Sequence, residues 1–432
     1  MPVLSESRNL RYFTFCYLYV MQGIPAGFRG STIYNYLIEK GLTASAVGSF
    51  VLVVALPWSF QFVWGPVVDR FQHSVIGHRK QWVVLTQLVA VGASLGLLFI
   101  KNPLTQLGLL STLFFVHSLF ASIQDTSVDA MAIDVTPERE RGRLNALMRI
   151  GFLLGTSLGA AGLAPVLARY GFQTAVVWQS LALLAFTILT FFLRIDRTDR
   201  LLPAWGQLVA GRGKKAAAAV VDDPPLWRVF QELFRSLWQP RSLRIFLCVW
   251  VVYLAVTVFY SSFIYTLIHS LGWRARAVSV LEGSWVNLLA VGALLGGGLI
   301  SDRFSALRLQ RWVLGAIVLV LLGLSLAYTY WAQSGFAIGG IVVLNLIDPF
   351  MSVAALPLLM NLCDDRVAAS QFTTYMALIN FGSVVGAKIN GWALEVTTAP
   401  VVGLACTTAV LLALLAMRRV SLPPTYQQAL ST

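Results

Sequence analysis

The sequence predicts an all-α polytopic membrane protein with 12 transmembrane helices in two six-helix bundles, and three observations predict it. Of the 432 residues, 57% are hydrophobic and only 12% charged, with mean hydropathy +0.73. An ordinary soluble domain carries about 25% charged residues, and a soluble globule of this make-up would expose large apolar patches and aggregate. Twelve apolar stretches match the roughly 20 residues that a spanning helix needs. With the N-terminus cytoplasmic, 24 of the 32 Lys and Arg fall on the cytoplasmic side and 5 outside, the asymmetry that orients membrane proteins. The net charge of +13 therefore records orientation. Soluble enzymes, nucleic-acid binders and secreted disulfide scaffolds are excluded.

The predicted spans are 11–38, 43–66, 81–100, 105–131, 142–168, 172–194, 243–269, 277–300, 310–332, 335–362, 368–394 and 399–420. They divide the chain into a bundle at 1–194, a cytoplasmic linker at 195–242 and a second bundle at 243–432. The middle of the linker, GRGKKAAAAVVDDPP, reads as a flexible tether. After it, Leu226, Phe230, Leu233 and Leu237 recur at helical spacing opposite Arg228, Glu232 and Arg235. That pattern fits an amphipathic helix on the membrane surface or one packed against span seven. Cys16, Cys248, Cys363 and Cys406 lie in or at the ends of spans with no metal-ligand spacing. No metal, cofactor or catalytic residue is expected. The first span is too long for a cleavable signal peptide and carries Arg29.

The halves repeat. Gly65-Pro-Val-Val-Asp69-Arg70 closes span two and Gly298-Leu-Ile-Ser-Asp302-Arg303 closes span eight. Gly151, Gly155 and Gly159 in span five correspond to Gly382 and Gly386 in span eleven at nearly the same offset. Glycine lets helices approach closely. Gly65, Asp69, Arg70, Arg79, Asp302 and Arg303 are expected to gate the cytoplasmic ends in an alternating-access motion. Two such bundles joined by a cytoplasmic linker, with these loops, resemble the major facilitator superfamily.

Four segments narrow the resemblance. They are Gln22-Gly-Ile-Pro-Ala-Gly27; Trp64 to Arg70 with Gly77-His-Arg-Lys-Gln-Trp82; Gln124-Asp125-Thr-Ser-Val-Asp129 running on to Gly142; and Cys363 to Phe372 with Gly391-Trp-Ala-Leu-Glu395. Together they resemble the AmpG muropeptide-permease branch, which is similar to acetyl-CoA transporters and some siderophore importers. The resemblance implies proton-coupled import of anhydro-muropeptides across the bacterial inner membrane for cell-wall recycling. The family's Lys and Asp early in span seven are replaced by Tyr253-Leu-Ala-Val-Thr257. Leu153 stands where the family has an Arg, with Arg149 one turn earlier, and Asp348 lies one turn beyond Asn345.

Ionisable groups among spanning helices cost several kcal/mol unless paired or hydrated, which makes them functional candidates. Asp125 and Asp129, at i and i+4 on one helix face, suit a proton carrier; ion pairing with Arg149 or the Arg139–Arg143 run is the structural alternative. Asp348, just before the helix-opening Pro349, is expected to serve both substrate and proton. Arg29 and Lys388, among small neighbours, are expected to meet an anionic substrate group. Gln22, Tyr34, Gln124, Asn345, Gln371, Tyr375 and Asn380 are neutral candidates for sugar hydroxyls and amides. Glu282 reads as a solvated mouth residue and His117 as a satisfied core histidine.

The expected function is therefore proton-coupled import of an anionic solute, foremost an anhydro-muropeptide. A siderophore or an acyl-CoA-like anion is the alternative cargo. Its partners are a small-molecule substrate, protons and the lipid bilayer, with no nucleic acid, and the carrier acts as a monomer with both termini cytoplasmic. No phosphate-binding Gly-x-x-x-x-Gly-Lys loop is present for ATP drive. A polytopic enzyme would need convergent His, Asp and Glu, and only four His exist. A non-transporting assembly factor on the same fold is the remaining reading.

Overall fold

The computed structural model describes residues 3–70, 79–197, 238–301, 306–360 and 368–419, with single positions at 235, 304 and 362. Most of the linker, including its amphipathic segment apart from position 235, falls outside the described residues, as do Asp302, Arg303 and the side chains of Asp69 and Arg70. Every regular element among the described residues is helical. In the first half, α1 runs Arg8–Gly27 and continues through Phe28–Ile33 to Tyr34–Glu39; α2 comprises Ala44–Ser59 and Gln61–Arg70. Then come α3 (Lys80–Gly96), α4 (Leu107–Val135), α5 (Glu138–Ser157, Leu158–Gly162, Leu163–Tyr170) and α6 (Phe172–Phe192). In the second half, α7 is Pro240–Tyr265 with Thr266–Ser270, and α8 is Ala275–Leu281, Glu282–Val286 and Asn287–Ser301. The rest are α9 (Ala306–Leu326), α10 (Ser334–Met360), α11 (Ala368–Val396) and α12 (Ala399–Arg418).

Ten of these rods are long and apolar enough to cross a membrane. The other two are α1 and α11, which carry Gln22, Arg29 and Asn35, and Gln371, Asn380, Lys388 and Asn390. Helix ends follow local chemistry. Ser7 and Thr43 accept hydrogen bonds from the backbone N–H groups of Leu10 (3.4 Å) and Ala46 (3.3 Å), capping α1 and α2. Gly171, at φ +85°, alone joins α5 to α6, a left-handed conformation that residues with a Cβ rarely adopt.

The packing repeats as the sequence does. α1 packs on α5 as α7 packs on α11; α2 and α3 pack on α4 as α8 and α9 pack on α10; α3 packs on α6 as α9 packs on α12. The α1–α5 seam is the tightest. A Cβ on Gly155 would lie 2.2 Å from the Val20 carbonyl, and one on Gly159 2.1 Å from the Ile24 carbonyl. The corresponding α7–α11 seam is looser, with Gly386 leaving 3.1 Å to the Leu254 carbonyl. Outward-facing Leu88, Trp178, Leu319 and Leu412 remain exposed, the arrangement expected where hydrocarbon, not water, is the solvent.

Successive rods reverse direction, so the chain has one end bearing the termini and one far end. At the far end the apolar interior is continuous between halves: Phe28, Ile33 and Leu37 share one cluster with Ile264, Leu267 and Val278. Near the termini the first half instead encloses its own cluster, including Phe15, Leu18, Val128 and Met148.

Candidate functional site

Among the described residues, four rods contain a π-helical turn, at Phe28–Ile33, Leu158–Gly162, Thr266–Ser270 and Glu282–Val286. Such turns insert one residue into the helical register and occur often at functional sites. Three of them, from α1, α5 and α8, meet at the far end. Thr32 donates to the Gly159 carbonyl at 2.9 Å. A Cβ on Gly283 would lie 2.5 Å from the Ala161 nitrogen, so α8 and α5 are in backbone contact across the halves.

Glu282 organises this junction, correcting its reading as a solvated mouth residue: it is only 9% exposed. Ser31 and Tyr260 donate their hydroxyls to its carboxylate, and Asn35 donates Nδ2 at 3.2 Å and also reaches Ser279 at 2.9 Å. No basic side chain pairs with it among the described residues. Its place at the start of span eight suggested the external mouth; instead it is the first residue of the π-turn Glu282–Val286 and faces the opposite half. A second far-end contact joins α2 to α11, where Lys388 donates to Ser49 at 2.7 Å and Ser45 at 3.4 Å. Cβ atoms on Gly48 and Gly391 would each lie 2.6 Å from a carbonyl oxygen of the opposite half. Lys388 is thus an inter-half tie in this state.

Nearer the termini lie two cavities. The larger, about 500 Å³, is lined from both halves by Arg149 of α5, Tyr253 of α7, Asp348 and Ser352 of α10, and Asn380 and Ser383 of α11, with Leu294, Val353, Leu356, Met376 and Ile379 as apolar wall. The smaller, about 310 Å³, is lined by Tyr19, Asp129, Met148 and Arg149 with apolar neighbours. Arg149 borders both. Asp348 is exposed to the larger cavity; the charge of Arg149 acts on it and on Asp125 and Tyr253, yet among the described residues Arg149 forms no ion pair.

The α4 carboxylates are brought together with their neighbours from α1 and α2. Tyr19 donates its hydroxyl to Asp129, Gln61 donates Nε2 to Asp125 at 2.6 Å, and Gln22 stands beside Asp125. The buried amide nitrogens of Gln22 and Gln124 have no protein partner, and water is the natural partner for such groups. Other candidates sit elsewhere. Arg29 donates to Ser118 inside the first half. His117 is buried with Nδ1 3.1 Å from the Ala90 carbonyl. Tyr34 neighbours Ser261 in the far-end junction. Asn345 donates to Ile341 of its own helix at 2.8 Å. Gln371 donates to the Tyr375 hydroxyl at 2.8 Å, and Tyr375 stacks on Phe246 within the second half. Arg79 pairs with Asp134 at 2.8 Å, tying α3 to the end of α4; Gly65 lies in α2 with open space around its Cα.

The sequence matches the family model of the Major Facilitator Superfamily over residues 13–425. The chain is 29% identical over 383 residues to the anhydromuropeptide permease of Escherichia coli (strain K12), covering 86% of this chain and 72% of the relative. It is 26% identical over 190 residues to "Putative transporter AmpG 1" of Rickettsia typhi (strain ATCC VR-144 / Wilmington), 42% of each. Among solved structures, the peptide transporter POT (E310Q mutant) in complex with sulfate superposes with TM-score 0.70 at 13% identity over 95% of this chain and 94% of that one. The nucleoside transporter NupG superposes with TM-score 0.68 at 11% identity, covering 95% and 99%.

Proposed function

The chain belongs to the Major Facilitator Superfamily, and on that premise we propose that it is a proton-coupled importer of an anionic solute, an anhydro-muropeptide recovered during cell-wall recycling. The observation that carries this reading is the cavity of about 500 Å³ shared by the two halves, with Arg149, Asp348 and Asn380 on its wall. Such an opening between bundles suits a carried solute, and the cargo follows the relative covering most of both chains. The protein is a transporter and not an enzyme on this reading, a monomer in the bacterial inner membrane with both termini cytoplasmic. The positive-inside asymmetry then makes the open end cytoplasmic and the state inward-facing.

Import proceeds by closing the cytoplasmic side and opening the far end. Asp125, Asp129 and Asp348 hold the coupling protons, with Tyr19 and Gln61 orienting the α4 pair. Asp348, Asn380 and Gln22, with Asn345 and Gln124 behind them, meet the sugar and peptide groups of the substrate. Gly65, Asp69, Arg70, Arg79, Asp302 and Arg303 hold the cytoplasmic ends in the opposite state. A membrane potential of 100 mV supplies about 2.3 kcal/mol per charge moved, roughly fifty-fold accumulation without any pH gradient. A second cargo, a siderophore or acyl-CoA-like anion, is favoured by the segment at Tyr253, where the branch's charged pair is replaced by neutral residues.

Uptake of labelled anhydro-muropeptide into proteoliposomes with an imposed inward proton gradient tests the proposal. Concentrative uptake that collapses with a protonophore is expected. Uptake indifferent to the protonophore overturns proton coupling, and uptake of a ferric siderophore or acyl-CoA in its place overturns the cargo.

A further inference from the structure

We propose that Arg149 is the anchor for the anionic group of the cargo, its guanidinium taking a planar carboxylate in two parallel hydrogen bonds at the boundary of the two cavities. This deepens the carrier reading above and rests on it.

Other cations among the spanning helices are engaged by protein groups. Arg29 is engaged by Ser118, Lys388 by Ser45 and Ser49, and Lys80 by the carbonyls of Phe191 and Leu193 at the end of α6. Arg11 pairs with Glu140 at 2.8 Å. Arg149 differs from all of them. It is exposed, borders both cavities, and no hydrogen bond or ion pair holds it among the described residues. A guanidinium among membrane helices is costly unless paired or hydrated, and this one lies on the wall of two open volumes.

The neighbours define the ligand. A carboxylate in that volume meets one cation, while Tyr253, Ser352, Asn380 and Ser383 offer neutral donors and acceptors for amides and hydroxyls, and Leu294, Leu356 and Ile379 line an apolar side. Asp348 on the same wall repels a second anion at that point and favours an ammonium or hydroxyl there. The site therefore reads one acidic group beside a polar, partly apolar body, the chemistry of an acidic peptide on a sugar. Arg suits this better than Lys because its planar fork matches carboxylate geometry.

The test is binding to full-length protein in nanodiscs, by titration calorimetry, of an anhydro-muropeptide with free carboxylates and of the same molecule with every carboxylate amidated. Ferric citrate and acetyl-CoA are titrated as alternative anions. Wild type should bind the acid form roughly tenfold or more above the amide, as loss of a charge-assisted hydrogen bond implies. Arg149→Gln should lose that preference for acid over amide, and Arg149→Lys should retain part of it. Unliganded melting midpoints identify variants that merely misfold, and Arg149→Lys then carries the comparison. Equal binding of acid and amide by wild type, or an unchanged preference in Arg149→Gln, overturns the anchor while leaving the carrier intact. Should only one alternative anion bind, equal affinity in wild type and Arg149→Gln overturns the anchor. Failure of all the anions to bind wild type overturns the carrier reading itself.

Discussion

The two ends of the molecule use polar residues in opposite ways. At the far end, Glu282, Lys388, Asn35 and Ser31 are consumed by contacts between halves, among glycines that bring backbones together. Near the termini, Arg149 and Asp348 line open volume and are not paired with each other. An ionisable residue within the membrane is thus part of a closure where small residues let helices meet, and borders open volume where the halves part. The same rods supply both: α5 gives Gly159 to the closed end and Arg149 to the open one.

The largest effect is expected from Asp125→Asn and Asp348→Asn. Each should abolish uphill uptake while sparing counterflow down a gradient, and normal accumulation in both would remove the carboxylates from coupling. Next, Gly48→Leu with Gly391→Leu should prop the far end open. Disulfide crosslinking between Asn35→Cys and Ser279→Cys should then fall to near background, because both glycines abut opposing carbonyls at 2.6 Å.

In the same cysteine background, Glu282→Gln keeps the shape but weakens the two charge-assisted contacts left to the carboxylate, from Ser31 and Tyr260, so crosslinking should fall several-fold, in line with roughly 1 kcal/mol per hydrogen bond. An undiminished yield would mean that packing alone closes this end. Lys388→Met should lower the yield less than Glu282→Gln and leave muropeptide affinity unchanged; a lost affinity would return Lys388 to the binding site. The smallest effect belongs to the exposed Glu6–Arg197 pair (2.8 Å). Arg197 holds the Glu6 carboxyl below the usual glutamate range, so any stabilisation is present above that range and disappears as pH falls through it. Glu6→Gln should leave the melting midpoint at pH 7 unmoved.

Much of the fold was legible because its signals are long-range and redundant. Apolar runs set the rods, and the two Gly-x-x-x-Asp-Arg loops announced a duplication that the helix pairing repeats. The α4 carboxylates were legible too, since i and i+4 share a face in any helix. What escaped was which charge faces which space. Arg29, Arg149 and Lys388 all look alike as single cations in apolar helices, and rods apolar all round give no moment from which to read a face. The π-turns compound this, because each shifts the register of everything beyond it. Glu282 sits at the start of one such turn and Arg29 inside another; Glu282 faces Ser31 and Asn35 of the opposite half while Arg29 faces Ser118 of its own, and local spacing gives neither.

Access from each side of the membrane reports which end of the carrier is open. Ser352→Cys in the cavity and Ser31→Cys in the junction, each in a background free of other cysteines, would be treated with an impermeant maleimide in inside-out and right-side-out vesicles without substrate. Cysteine at 352 should react in inside-out vesicles alone and cysteine at 31 in neither. Reaction of position 31 from the outside, with position 352 silent from the inside, would contradict a carrier closed at its far end and open around Arg149.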